Sequence, residues 1–241
     1  MDEIVLSQMI RIEDRHWWYL ARRQIVEAMI ARTALRDAEI LDMGCGGGGN
    51  SPMLMRFGRV RGVEMDPEAR AAAESRRTCE VADGYLPDRI PYGSDRFDLV
   101  TLLDVLEHVP EDGASVRRLA ERLNQGGRVV VTVPAYMFLW RKQDDLNRHQ
   151  RRYTLRRLEA VFTNNGLRVE HATYYNVLLF PLMAGIILGN KLLGREQADD
   201  NRIPSPLVNW TLWKVLAFER WLVPRLRFPF GASVLLVARK E

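Results

Sequence analysis

Residues 40–52 read ILDMGCGGGGNSP, with glycine at five of the six positions 44–49. Gly44, Gly46 and Gly49 satisfy G-x-G-x-x-G, a loop whose missing side chains let backbone come close to a ligand. Such a loop serves a pyrophosphate or another nucleoside ligand, so its neighbours decide. Glu64 stands 20 residues after Gly44, where a carboxylate accepts from a ribose diol. Asp42 is awkward beside a pyrophosphate but suits the surroundings of an ammonium group. Asp83, in VADG, can accept from an adenine amino group. Histidines 16, 108, 149 and 171 are the candidate acid–base groups, since imidazole exchanges protons near neutral pH.

The elements that must position these groups are legible. AEILDMG is a buried strand running into the glycine loop, and Ser51 with Pro52 marks a helix start, the helix running through MLMRFG. RVRGVEMD, CEVADG, the first half of RFDLVTLLDVLEHV and GRVVVTVP read as strands two to five. PEARAAAESRR, SVRRLAERLN and TLRRLEAVFTNNG read as the helices between and after them. LRVEHATYY and ASVLLVARK are further strands, and His171 on the first of them reads as structural. Strands alternating with helices predict an α/β, doubly wound, mostly parallel sheet. His108 and His149 follow the fourth and fifth strands, on the side where such sheets bind ligands. Residues 1–35 read as helix. Residues 173–190 run 18 positions without a charge, and Trp210, Trp213, Ala217 and Trp221 then recur at helical spacing, forming an insertion before the last strand.

The bulk numbers set bounds. At 241 residues and 47% hydrophobic, the chain supports one core with additions. A formal charge of +4 is a mild excess and weak support for a polyanionic partner. Two cysteines, Cys45 and Cys79, make no disulfide framework. With an acidic N-terminus that is no signal peptide, they point to the cytoplasm.

In order and spacing, ILDMGCGGG, GVEMDP, VADG, FDLVTLLDVLEHVP and GGRVVVTVP resemble the class I S-adenosylmethionine (SAM)-dependent methyltransferases. The resemblance covers about residues 38–170 and the last strand. It implies a seven-stranded sheet with an antiparallel last strand, and SAM as cofactor. Gly44 and Gly46 would meet the methionine part, with Asp42 as the acidic lead. Glu64 would hold the ribose and Met65 flank the adenine. Asp83 and the Gly84 backbone would meet the adenine edge, while Leu103 and Asp104 line the pocket. Gly47 to Gly49 read as loop flexibility. The organisation expected is a helical lid (1–36), a SAM-binding core (37–172), an apolar helical insertion (173–230) and the final strand (231–241).

HWWYLARR resembles the lid segment of bacterial SAM methyltransferases, with Trp17 and Trp18 covering the cofactor or anchoring the helix, and Arg22 reaching its carboxylate. Asp104, Glu107 and His108 form D-x-x-E-H, similar to the E-x-x-E-H of metal-dependent ubiquinone and small-RNA O-methyltransferases, with His149 as a further ligand. The favoured alternative is metal-free, with His149 and His108 as catalytic groups. The insertion reads as a lid or pocket wall, a homodimer face or a peripheral membrane contact. The function expected is methylation, at oxygen, of a hydrophobic small molecule or lipid-like acceptor, without nucleic acid. An RNA methyltransferase, from the basic RHQRRYTLRR, and a non-catalytic SAM-binding protein are the alternatives.

Overall fold

The computed structural model describes residues 3–195 and 202–241. Part of the polar loop after Gly194 therefore lies outside the described residues, as do Met1 and Asp2. The strands are β1 (Ala38–Met43), β2 (Gly58–Val63), β3 (Glu80–Ala82), β4 (Phe97–Leu103), β5 (Leu123–Pro134), β6 (Arg168–Tyr175) and β7 (Ser233–Arg239). They form one sheet of order β3-β2-β1-β4-β5-β7-β6. β1 to β5 pair in parallel, and β7 runs antiparallel between β5 and β6. This is the sheet the sequence predicts.

The sheet is covered on both faces, so its central strands are apolar throughout rather than alternating. Neighbouring residues still point to opposite sides. Val100 and Leu102 of β4, Val129 and Val131 of β5 and Leu236 of β7 enter one core layer. Leu99, Leu103, Val130 and Leu235 enter the other.

The helices are α1 (Glu3–Ile12), α2 (Trp17–Ala31), α3 (Ser51–Leu54), α4 (Pro67–Ser75), α5 (Asp112–Arg122), α6 (Lys142–Leu146), α7 (Leu155–Thr163), α8 (Phe180–Leu192) and α9 (Pro206–Phe218). Two differ from expectation. The helix read over residues 1–35 is two helices, because His16 ends the first segment and caps the second, its Nδ1 accepting from the Trp18 amide at 3.3 Å. The helix at Ser51 is a single turn ending at Leu54, since β2 begins at Gly58, and Asn50 rather than Ser51 holds the cap position. α2 buries Ala21, Ile25, Val26, Met29 and Ile30 against the second core layer, sharing it with Leu216 and Ala217 of α9.

Candidate functional site

β1 delivers the glycine loop to the carboxyl end of the sheet. The amides of Gly44 and Cys45 donate to Val63 O at 2.8 and 3.0 Å, which fastens the loop to β2. Gly44 has φ +73°, and a Cβ there would stand 2.6 Å from Val105 Cγ2. Gly46 has φ +56° with open space before it, so its backbone faces the cavity. Gly47 and Gly49 correct the expectation of mere slack. A Cβ at either would meet the Glu13 carboxylate, at 2.7 and 2.4 Å. These glycines admit Glu13, which is paired with Arg76 at 2.7 Å and was not foreseen because it precedes the motif by thirty residues.

Glu64, at the end of β2, is 9% exposed. It accepts the amides of Gly46 and Asp66, both at 2.9 Å. Burial raises its pKa and these amides oppose the rise. A carboxylate has about four lone-pair sites, so each oxygen keeps one for a ligand. Asp42 lies beneath the loop, 1% exposed. Burial pushes its pKa up to about 6, against a hydrogen bond from Thr101 at 2.7 Å, and its Oδ2 has no partner.

A cavity of about 1340 Å³ opens over these groups. Gly44, Gly46, Glu64, Met65, Gly84, Leu103 and Asp104 all border it. Trp17, Trp18 and Arg22 of α2 face them across it, and His108 and His149 stand on its wall. Neither Asp42 nor Asp83 borders it; the Asp83 carboxylate is held by Arg70 at 3.2 Å and Arg89 at 2.6 Å. The insertion divides. Met183, Ile186 and Ile187 of α8 line the cavity, whereas α9 packs on α2, so only the first half of the expected wall is one.

Asp104 ends β4 with φ +60°. It is ion-paired with Arg22 and accepts from Thr132 Oγ1 at 3.1 Å. Arg22 also donates to Leu103 O at 3.4 Å and lies over the Trp18 ring at 4.7 Å. Its Nη1 is thus engaged on the protein, while its Nε has no partner among the described residues and the side chain still borders the cavity. Asp104, committed to Arg22, contributes no ligand atom to the acidic–histidine cluster in which the D-x-x-E-H pattern placed it, although it lies near enough to act on Glu107.

That cluster is Glu107, His108 and His149, whose candidate ligand atoms lie within 4.8 Å of one another. The two imidazoles meet edge to face at 4.6 Å. Burial, then the neighbouring His149, pulls the His108 pKa down to about 3. Burial, then Asp104, holds Glu107 well above the usual carboxylate range, and its Oε2 has no partner. One carboxylate and two imidazoles would suit a transition metal better than magnesium. His149 Nδ1 is 2.8 Å from Asp144 Oδ1. Asp144 also receives Arg152 through Nε and Nη2, both at 2.8 Å, and the Arg141 amide at 2.7 Å. Although burial raises its pKa, these donors hold it well below the usual range. The sequence reading missed Asp144 and Arg152; the signal was their spacing around His149, masked by charges on every side.

Residues 13–172 match the family model described as a methyltransferase domain. The chain belongs to this family. It is a class I SAM-dependent methyltransferase in sequence and architecture, as its motifs imply. A ubiquinone biosynthesis O-methyltransferase of Xanthomonas campestris pv. campestris is 33% identical over 113 residues, 44% of this chain and 47% of that protein. The match thus spans about half of the relative. Among solved structures, a TehB-like SAM-dependent methyltransferase from Corynebacterium glutamicum shares the fold at TM-score 0.55 and 19% identity, covering 89% of this chain and 86% of that one. Phosphoethanolamine N-methyltransferase 2 of Haemonchus contortus, in complex with SAM, does so at 0.58 and 16%, covering 88% and 51%.

The methyltransferase's cavity fits SAM. Glu64 retains acceptor sites for a diol, Gly46 leaves backbone open, and the unpartnered Asp42 oxygen puts negative potential under the loop. Trp17 and Trp18 border the cavity, and an aromatic face attracts a positively charged sulfur, although Arg22 already lies over the Trp18 ring.

Proposed function

We propose that this methyltransferase methylates a hydroxyl oxygen of an apolar small molecule, with His149 as general base. The carrying observation is that one cavity joins the glycine loop, the His108–His149 wall and the aliphatic face of α8. SAM supplies an electrophilic methyl group on a cationic sulfur. Donation from Nδ1–H to Asp144 leaves His149 Nε2 as the proton acceptor, and the acceptor oxygen loses its proton there as it gains the methyl. Asp144 orients the ring and steadies the imidazolium. Arg152 keeps Asp144 ionised. His108, neutral, packs against the base. Residues 1–36 act in this reading as the lid, and α8 as the acceptor-side wall. The O-methyltransferase name of the Xanthomonas campestris relative supports oxygen as the acceptor atom.

RNA is disfavoured by how RHQRRYTLRR is used. Tyr153 is fully buried and Arg152 is 8% exposed. Arg151 donates to Val109 O at 2.9 Å and Pro110 O at 2.7 Å. The aromatic and two of the basic groups are thus committed to the interior.

A second reading draws on the unpartnered Glu107 Oε2. Glu107, His108 and His149 would hold a divalent transition metal that polarises the acceptor hydroxyl. Isotope-labelled SAM offered with prenylated phenols and catechols, and separately with total RNA, tests the proposal. Label on the phenolic oxygen supports it. Label on RNA alone, or SAM binding without turnover on any acceptor, overturns it. Chelator sensitivity selects the metal reading.

A further inference from the structure

α8 is apolar on every side, yet Ile187 is its one buried residue. Leu182, Ile186 and Leu192 are 59%, 55% and 88% exposed. A helix apolar all round normally sits in a core or in lipid, and a continuous exposed aliphatic surface marks an interaction site. The turn at Met137–Leu139 extends this surface. Lys191 Nζ donates to Phe138 O at 2.9 Å, and Met137 and Phe138 are about half exposed.

Three observations name the occupant. Between residues 176 and 232 there are seven basic and four acidic residues, and one of the acids, Glu219, is fully buried. Lys191 and Arg195 sit at the exposed end of α8, and Arg148 and Arg202 are exposed on the cavity rim. Cationic groups flanking an aliphatic helix complement anionic headgroups over acyl chains. Second, among the described residues no helix is long and apolar enough to cross a membrane. At about 1.5 Å per residue, α8 extends roughly 20 Å, short of the ~30 Å hydrocarbon core, so it would lie in the surface. Third, Met183, Ile186 and Ile187 of this helix also wall the cavity.

We propose that α8, with Met137 and Phe138, seats in an anionic bilayer surface and that the acceptor passes from the bilayer along α8 into the cavity. Only the second clause rests on the apolar-acceptor reading; the first is tested without turnover. The whole protein is floated with vesicles of phosphatidylcholine containing about 30% phosphatidylglycerol, and with phosphatidylcholine alone. It should rise with the anionic vesicles and much less with the neutral ones. Leu182→Glu with Leu192→Glu should lower the bound fraction about tenfold or more, while SAM affinity, which reports intact folding, stays put. Lys191→Glu with Arg195→Glu should weaken binding to anionic vesicles alone.

Three outcomes overturn the proposal: wild-type protein that floats with neither vesicle, an acidic double variant that floats like wild type, or a concentration-dependent dimer abolished by that variant without flotation. The last would assign the face to a second copy of the chain. Methylation of a detergent-solubilised phenol by a protein that floats with neither vesicle would sink this inference and leave the proposed chemistry standing.

Discussion

At His149 Nδ1 meets Asp144, and the proposed function gives Nε2 the acceptor's proton. His149→Ala should lower turnover by about 10²–10⁴ with SAM affinity unchanged, measured in single-turnover and calorimetric experiments. Wild-type turnover, insensitive to chelators, would leave the ring a merely structural partner of Asp144. Glu64→Ala should weaken SAM binding by roughly 1.5–3 kcal/mol, the range for a charge-assisted hydrogen bond. Unchanged affinity in a folded variant would remove Glu64 from the ribose. The position of Glu64 on the cavity was legible because it stands at the end of β2, and that of His149 because it follows the fifth strand. Asp144, Arg152 and Glu13 were not, because their roles arise from spatial meetings. Glu13 stands on the segment before α2 and reaches the glycine loop only once that segment has folded back. Arg22 and Asp104 both border the cavity and also pair with one another, a meeting that no one-dimensional pattern shows.

At the scale of elements, His16 does two jobs, ending one segment and capping α2. Burial pulls its pKa from 6.5 to about 4, so the folded protein holds it neutral. Its contribution is whole above pH 6.5 and is lost as the pH falls toward about 4. His16→Asn retains a cap acceptor and removes the titration. Its urea midpoint should therefore fall less than that of wild type between about pH 7 and pH 4.5; equal falls would show that other groups carry the acid sensitivity. Glu219, just after α9, is fully buried and accepts the amides of Asn176, Val177 and Leu178 at 2.6, 2.7 and 2.9 Å. Glu219→Ala leaves two buried donors and a partly buried one unpaired and should cost roughly 2–4 kcal/mol in chemical denaturation. A loss within experimental error would show that water replaces the carboxylate. The strands were predictable because each is a compact apolar run. The break at His16 was not, because Glu13, Asp14, Arg15 and His16 also read as one exposed helical turn and the imidazole cap is a local hydrogen bond.

For the whole molecule, the cavity is where the glycine loop, α2, α8 and the His108–His149 wall come together, so ligand binding should be felt globally. SAM at a hundred times its Kd should stabilise the fold by about 2.7 kcal/mol, and for a chain of this size raise Tm by roughly 5–10 °C. NAD should leave Tm in place. A shift with NAD and none with SAM, read by differential scanning fluorimetry, would return the loop to the pyrophosphate class. That contrast was the most legible feature of the sequence, since it depends on neighbouring motifs in order. What covers the cavity was less legible, because two apolar helices of similar composition, α8 and α9, take different positions, one against the cavity and one against α2.

Tyr175 and Ser233 face each other across β6 and β7. In connectivity, everything from Asn176 to Ala232 is the turn of one hairpin. Doubling the length of such a connection costs only about 0.6 kcal/mol in closure entropy, so the sheet places little demand on what fills it. The chain is therefore organised as a frame and a cassette. The frame holds the glycine loop, Glu64 and the two histidines on β1, β2, β4, β5 and the loops that follow them. The cassette supplies the aliphatic wall and the exposed helix. Changes of length in its loops need not disturb the strand pairing, whereas α9 and Glu219 tie the connection to the frame through Leu216, Ala217 and the amides of residues 176–178. On the proposed reading, the acceptor-side wall can accordingly be exchanged while the methyl-donor machinery stays fixed.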